Sequence, residues 1–155
     1  MTKRTWCSAI VACFVLAGCA TGGPGPRGDA EIRKHTRYND QTCTGAVCEI
    51  DVRVVCDPAP CVGVVDPKVL LVFRAGGPKL IRWSLKGAPG YLFANEKVNL
   101  DPAEFTCDAP GANRKLVTCR DEFRQQRTEA YEYTLKVLKE TDGSVLTIDP
   151  WIVPR

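Results

Sequence analysis

Six cysteines lie beyond residue 40, at Cys43, Cys48, Cys56, Cys61, Cys107 and Cys119, and thiols are the most versatile reactive groups in this chain. Such a set could pair as structural disulfides, bind a metal as thiolates, or cycle as a redox couple. The spacing favours structure. Zinc ligand pairs sit about two to four residues apart, and thioredoxin-like redox pairs are Cys-x-x-Cys within a βαβ pattern. Here Cys43 with Cys48, and Cys56 with Cys61, each enclose four residues, and no βαβ pattern surrounds them. Cys48 and Cys56 look like opposite ends of one strand, ~26 Å apart at ~3.3 Å per residue. A disulfide needs Cα atoms within about 7 Å, so those two do not pair. The local set Cys43–Cys48, Cys56–Cys61 and Cys107–Cys119 is therefore expected. Pairing Cys43 or Cys61 with a more distant partner is the rival arrangement, which spacing leaves open.

Other chemistry is sparse. Catalysis needs a nucleophile or proton shuttle in a shaped site. The single histidine, His35, falls in a polar stretch where a solvated side chain is the default, and no Ser/His/Asp set assembles around it. No Gly-rich phosphate loop is present. Asp57, Asp66, Asp101, Asp121, Glu122 and Asp149 fall mostly at turns, where capping suffices for each. Two carboxylates could still meet in space, as they do in glycosidases. Arg114, Lys115, Arg120, Arg124 and Arg127 make a locally basic region interleaved with Asp121 and Glu122, which reads as a solvated face. The residues thus point away from an enzyme and from any cofactor.

The N-terminus carries an address. Met1-Thr2-Lys3-Arg4 is basic, Trp6 to Ala17 is almost wholly apolar, and small residues lead into Cys19. This is the layout of a secretory signal, and the apolar run is shorter than the ~20 residues that span a bilayer. Leu16-Ala17-Gly18-Cys19 resembles the lipobox of bacterial lipoproteins. The resemblance implies a diacylglyceryl thioether on Cys19, cleavage just before it, and acylation of the new amine. Ala20 stands where Asp would favour inner-membrane retention in enterobacterial relatives, so the outer membrane is the expected address.

Signal removal also changes the charge. Lys3 and Arg4 are the only charged residues in 1–18, so 21 basic groups become 19 against 18 acidic ones, a net of +1. That is no electrostatic footprint for nucleic acid. Residues 20–29 are rich in Gly and Pro and nearly free of bulky apolar side chains, which reads as a flexible tether. Arg27-Gly28-Asp29 within it spells an adhesion tripeptide by chance. The expected organisation is a signal over 1–18, a lipidated N-terminus and tether over 19–40, and one domain over 41–155.

Within that domain, period-two patterning dominates. In Cys48–Cys56, Ile50, Val52 and Val54 share one face and Glu49, Asp51 and Arg53 the other. Lys68–Arg74, Leu80–Leu85, Tyr91–Phe93, Lys97–Leu100, Glu104–Cys107 and Leu116–Cys119 also read as strands. A further pair follows from about residue 130, turning at Thr141-Asp142-Gly143. A short helical turn within 121–128 is the alternative for that segment. Seven or eight strands at this spacing argue for an all-β, antiparallel, immunoglobulin-like sandwich, with Trp83 as core anchor and a small closed barrel as runner-up. Ile81-Arg-Trp-Ser-Leu85, Phe105-Thr-Cys107, Val117-Thr-Cys119, Tyr131-Glu-Tyr-Thr-Leu-Lys-Val137 and Asp149-Pro-Trp-Ile152 together resemble small uncharacterised envelope proteins of proteobacteria. That resemblance implies a single β-sandwich and brings no activity with it.

The combined expectation is an outer-membrane lipoprotein held to the membrane by Cys19, its domain facing the periplasm, with a non-catalytic binding role toward an envelope protein or ligand. The alternatives are an envelope enzyme using carboxylates or thiol redox chemistry, and a Cys-rich metal-binding lipoprotein.

Overall fold

The computed structural model describes residues 40–57, 60–126 and 128–155. Cys19, the signal, the tether, Arg27-Gly28-Asp29 and His35 lie outside the described residues. Those described form twelve strands and no helix. They are β1 (Asp40–Cys43), β2 (Val47–Val55), β3 (Val62–Asp66), β4 (Val69–Val72), β5 (Lys79–Leu85) and β6 (Tyr91–Phe93). After these come β7 (Phe105–Cys107), β8 (Leu116–Asp121), β9 (Tyr131–Glu132), β10 (Leu135–Lys139), β11 (Val145–Ile148) and β12 (Trp151–Pro154).

A five-stranded sheet of order β3-β2-β5-β8-β7 makes one layer. A three-stranded sheet, β11-β10-β6, and a four-stranded sheet, β1-β4-β12-β9, supply the rest. The fold is an all-β sandwich, as the patterning predicts. Two features differ from expectation. There are twelve short strands instead of seven or eight, and the sheets are mixed, not purely antiparallel. β2 runs parallel to β5, and β4 parallel to both β1 and β12.

The parallel pair has a physical explanation. Leu70, Val72 and Ile152 face the main core, while Val69, Trp151 and Val153 face a second small cluster with Ala130. A strand buried on both faces reads as a continuous apolar run, so Val69–Val72 and Trp151–Pro154 show no alternation. Strands β1, β3 and β12 were not expected from the sequence. Lys97–Leu100 is not a strand but contributes an isolated bridge, Asn99 to Thr134. No helical turn occurs among the described residues of 121–128.

Elsewhere the local chemistry and the structure agree. In β5, Ile81, Trp83 and Leu85 point inward and Leu80, Arg82 and Ser84 outward. β10 and β11 form the expected hairpin, with Gly143 at φ 72° and Asp142 Oδ1 accepting from the Ser144 amide at 2.9 Å. Gly63 is demanded by packing: a Cβ there would lie 2.4 Å from Ile148 Cδ1, where β11 crosses β3.

The layers meet at Trp83 and Tyr133, both fully buried. Trp83 Nε1 donates to the Tyr133 hydroxyl at 2.8 Å, and the rings lie 5.2 Å apart at 57°. Burial pushes the Tyr133 phenol above its usual range. Tyr133→Phe would strand a buried indole N–H, which costs ~1–3 kcal/mol. Equilibrium denaturation should show that loss with an unchanged slope against denaturant, whereas an unaltered midpoint would show that the bond contributes nothing net.

Candidate functional site

The six cysteines form Cys43–Cys48, Cys56–Cys61 and Cys107–Cys119, the local set expected from spacing. Their Cα separations are 5.5, 4.0 and 4.0 Å. Cys43–Cys48 ties the end of β1 to the start of β2, and so joins two sheets within the core. Cys107 and Cys119 are direct cross-strand partners in the β7–β8 hairpin. With every one of these sulfurs bonded to another, none is a thiolate available to a metal. No group of three or more His, Cys, Asp or Glu is placed to hold a metal among the described residues.

The inner face of β8 carries Val117, Cys119 and Asp121, all buried, and two candidate sites sit at its opposite ends. At the Asp121 end two buried carboxyl groups come within reach of each other: Glu104 and Asp121 are both 0% exposed, and the charge of Glu104 acts on Asp121. Asp121 Oδ1 accepts from the Phe123 amide at 3.0 Å, and Glu104 Oε2 accepts from the Gln125 amide at 2.6 Å. The remaining oxygens, Asp121 Oδ2 and Glu104 Oε1, are buried and receive no N–H or O–H from any other described residue. Burial pushes the Asp121 carboxyl up to about 7, opposed by the Phe123 amide; the charge and the hydrogen bond of Glu104 push it further up, and the Arg74 guanidinium draws it down.

Two cationic side chains, Arg74 and Lys79, lie near the pair. Arg74 Nη2 donates to the Gln125 carbonyl at 2.6 Å, and its guanidinium carbon lies 5.7 Å from the Phe123 ring centroid. Lys79 is directly opposite Asp121 in the sheet register, yet its buried ammonium donates to the carbonyls of Ala75 at 2.7 Å and Thr44 at 3.3 Å. A glycosidase-type pair needs an open cleft for its sugar. This pair is sealed.

At the Val117 end lies an open cavity of about 380 Å³, within the range of small-molecule sites. Phe93, Val98, Val117 and Leu135 form an apolar floor, and Glu96, Lys97, Asn99 and Lys136 a polar rim. Lys136 Nζ and Glu96 Oε1 pair at 3.0 Å on that rim. The lining thus mixes apolar and polar side chains.

The other residues singled out in the sequence are dispersed. Asp101 caps a turn, with Oδ1 accepting from the Ala103 amide at 2.9 Å, and Asp149 accepts from the Thr134 hydroxyl at 2.9 Å. Asp57 and Asp66 are exposed, and Glu122 lies 3.9 Å from Arg120 in a partly solvated pair. The basic region does not form one face. Arg114 Nε donates to the Phe93 carbonyl at 2.7 Å, and Lys115 donates to the carbonyls of Ala88 and Tyr91, so both are structural ties to β6. Arg124 is exposed, and Arg127 lies outside the described residues.

The capping reading of Asp121 needs correction, since that carboxyl also meets a second one. Glu104 had drawn no attention in the sequence. Strand alternation from Phe105 would turn it to solvent, but it precedes β7, in a turn where Glu104 and Phe105 amides both donate to the Asp101 carbonyl, at 3.1 and 2.8 Å. That turn folds its side chain inward, and no local pattern announces it.

No protein-family model matches the chain, and no curated protein is similar to it.

The disulfides should differ in reactivity, since Cys56 is exposed while Cys43, Cys48 and Cys119 are buried. Under graded reductant in the folded state, alkylation mapped by peptide mass should label Cys56 and Cys61 first. Simultaneous labelling of all six would contradict this order. Replacing both Cys107 and Cys119 by Ala should lower stability by ~2–3 kcal/mol on a chain-entropy account.

Proposed function

We propose that this chain is a lipid-anchored protein of the bacterial outer membrane, its β-sandwich a non-catalytic binding or accessory module facing the periplasm. One conjunction carries the reading. A basic and apolar leader ends in Leu16-Ala17-Gly18-Cys19, and the domain behind it has all six cysteines in disulfides. Disulfides persist in oxidising compartments, and the address implied by the motif is one of them. Several acyl chains at Cys19 would make the anchor durable, since a single chain binds membranes only marginally.

The binding role is supported by the shape of the domain. The Glu104–Asp121 carboxyl pair is buried, while the cavity over Phe93, Val98, Val117 and Leu135 is open. That cavity is the candidate seat for a small ligand. The immunoglobulin-like comparison extends to this use, because such sandwiches present loops and edges to partners.

The mass of protein extracted from native membranes tests the anchor. The expected product begins at a triply acylated Cys19 and gains six alkylatable thiols only after reduction. Cys19→Ser should leave the domain folded and shift it out of the membrane fraction. An unlipidated wild-type product, or free thiols before reduction, would refute the reading.

A further inference from the structure

The hairpin of β7 and β8 is fastened at both ends by different means. At one end Cys107 and Cys119 are cross-strand partners joined by a disulfide; at the other Phe105 faces Asp121 in register, with Glu104 and Glu122 just beyond. The Glu122 amide donates to the Glu104 carbonyl at 3.1 Å, so the ladder continues past the last paired residues. At this end the two sealed carboxyl groups each hold one amide of the outgoing segment, Phe123 and Gln125, and each leaves one oxygen with no donor from any other described residue.

We propose that Glu104 and Asp121 share a single proton through those two oxygens, and that this proton is a latch closing the open end of the hairpin. Two ionised carboxylates present only acceptors, and burying both without a donor is costly. One proton resolves both problems. It turns one oxygen into a donor and the other into its acceptor, and leaves one negative charge on the pair. That charge is met by the Phe123 and Gln125 amides and by the Arg74 guanidinium.

The groups around the pair set its balance. Arg74, from the link between β4 and β5, is the nearby cation that favours ionisation. Lys79 of β5 is in register with Asp121 but is committed to two carbonyls. Asp101, at the turn before β7, lies 3.5 Å from Gln125 Nε2 and adds negative charge, as does Glu122 at the exit of β8. Tyr131 of β9 stacks edge-on to Phe105, 5.0 Å between centroids, and contributes no charge near neutrality.

Losing the proton places two like charges in a buried site. The relief available is local, because the disulfide holds the far end closed while the 122–126 segment can swing out and hydrate both carboxylates. The latch therefore opens toward alkaline pH. In linkage terms the folded state retains a proton that the unfolded chain releases. The stabilisation is complete below the ordinary Asp value of 3.8 and is lost as pH rises to about 7.

Asp121→Asn tests this directly, because its amide can donate to Glu104 Oε1 while its oxygen still accepts from Phe123. It imitates the protonated latch permanently. Between pH ~4 and ~7 the wild-type unfolding constant, divided by that of the variant, should rise up to about tenfold per pH unit, then level off. Exchange of the Phe123 and Gln125 amides, relative to the variant, should accelerate over the same interval. A ratio that stays constant with pH would overturn the proposal. Should Asp121→Asn fail to fold, Glu104→Gln supplies the same donor from the other side. Carbon NMR of the wild-type carboxyl groups decides independently. The Asp121 carboxyl should titrate near neutrality, and its titrating in the ordinary acidic range would refute the shared proton.

Discussion

The hydrogen bond from the Trp83 indole to the Tyr133 hydroxyl is the point on which the layers converge. Trp83 is on the central strand of the five-stranded sheet, and Tyr133 lies between β9 of the four-stranded sheet and β10 of the three-stranded one. Each ring needs the other. An indole N–H or a phenol in an apolar core must find a partner, and here each satisfies its neighbour while both contribute large apolar area. The Tyr133 amide also donates to the Pro150 carbonyl, which aligns the approach to β12. Three sheets thus share one polar contact, surrounded by Ile50, Ile81, Phe93, Val137 and Ile152.

Around that centre, covalent and backbone ties do what a small core would otherwise have to do alone. The Cys43–Cys48 bond couples two sheets across a tight turn, and Cys107–Cys119 holds an edge hairpin. Cationic side chains act as struts: Arg114 and Lys115 reach carbonyls of β6 and the turn before it, and Lys79 reaches Thr44 and Ala75. Two members of the basic stretch in the sequence, Arg114 and Lys115, thus serve as scaffolding. Above Val117, an open cavity remains between these ties.

Along one face of β8, an apolar cavity floor, a disulfide and a protonatable carboxyl follow one another at two-residue intervals. The strand period of two makes this possible, because residues 117, 119 and 121 must point the same way. Cavity floor, disulfide and buried carboxyl are therefore parts of one strand.

Much of this was legible in the sequence. The alternation in Cys48–Cys56 and Leu80–Leu85, the turn at Asp142-Gly143 and the short cysteine spacings are local signals, and local signals determine strands, hairpins and nearby disulfides. The N-terminal motif is likewise read residue by residue. What only the tertiary structure decided depends on groups far apart in the chain. The parallel pairing of β4 with β12 joins residues about eighty positions apart, and burial on both faces erases the alternation that would have marked β12. Glu104 meets Asp121 because a turn folds back before β7, and the Trp83–Tyr133 bond spans fifty residues. Spacing along a chain reports on neighbours within a few residues, whereas desolvation and shared protons depend on which distant groups the fold brings into contact.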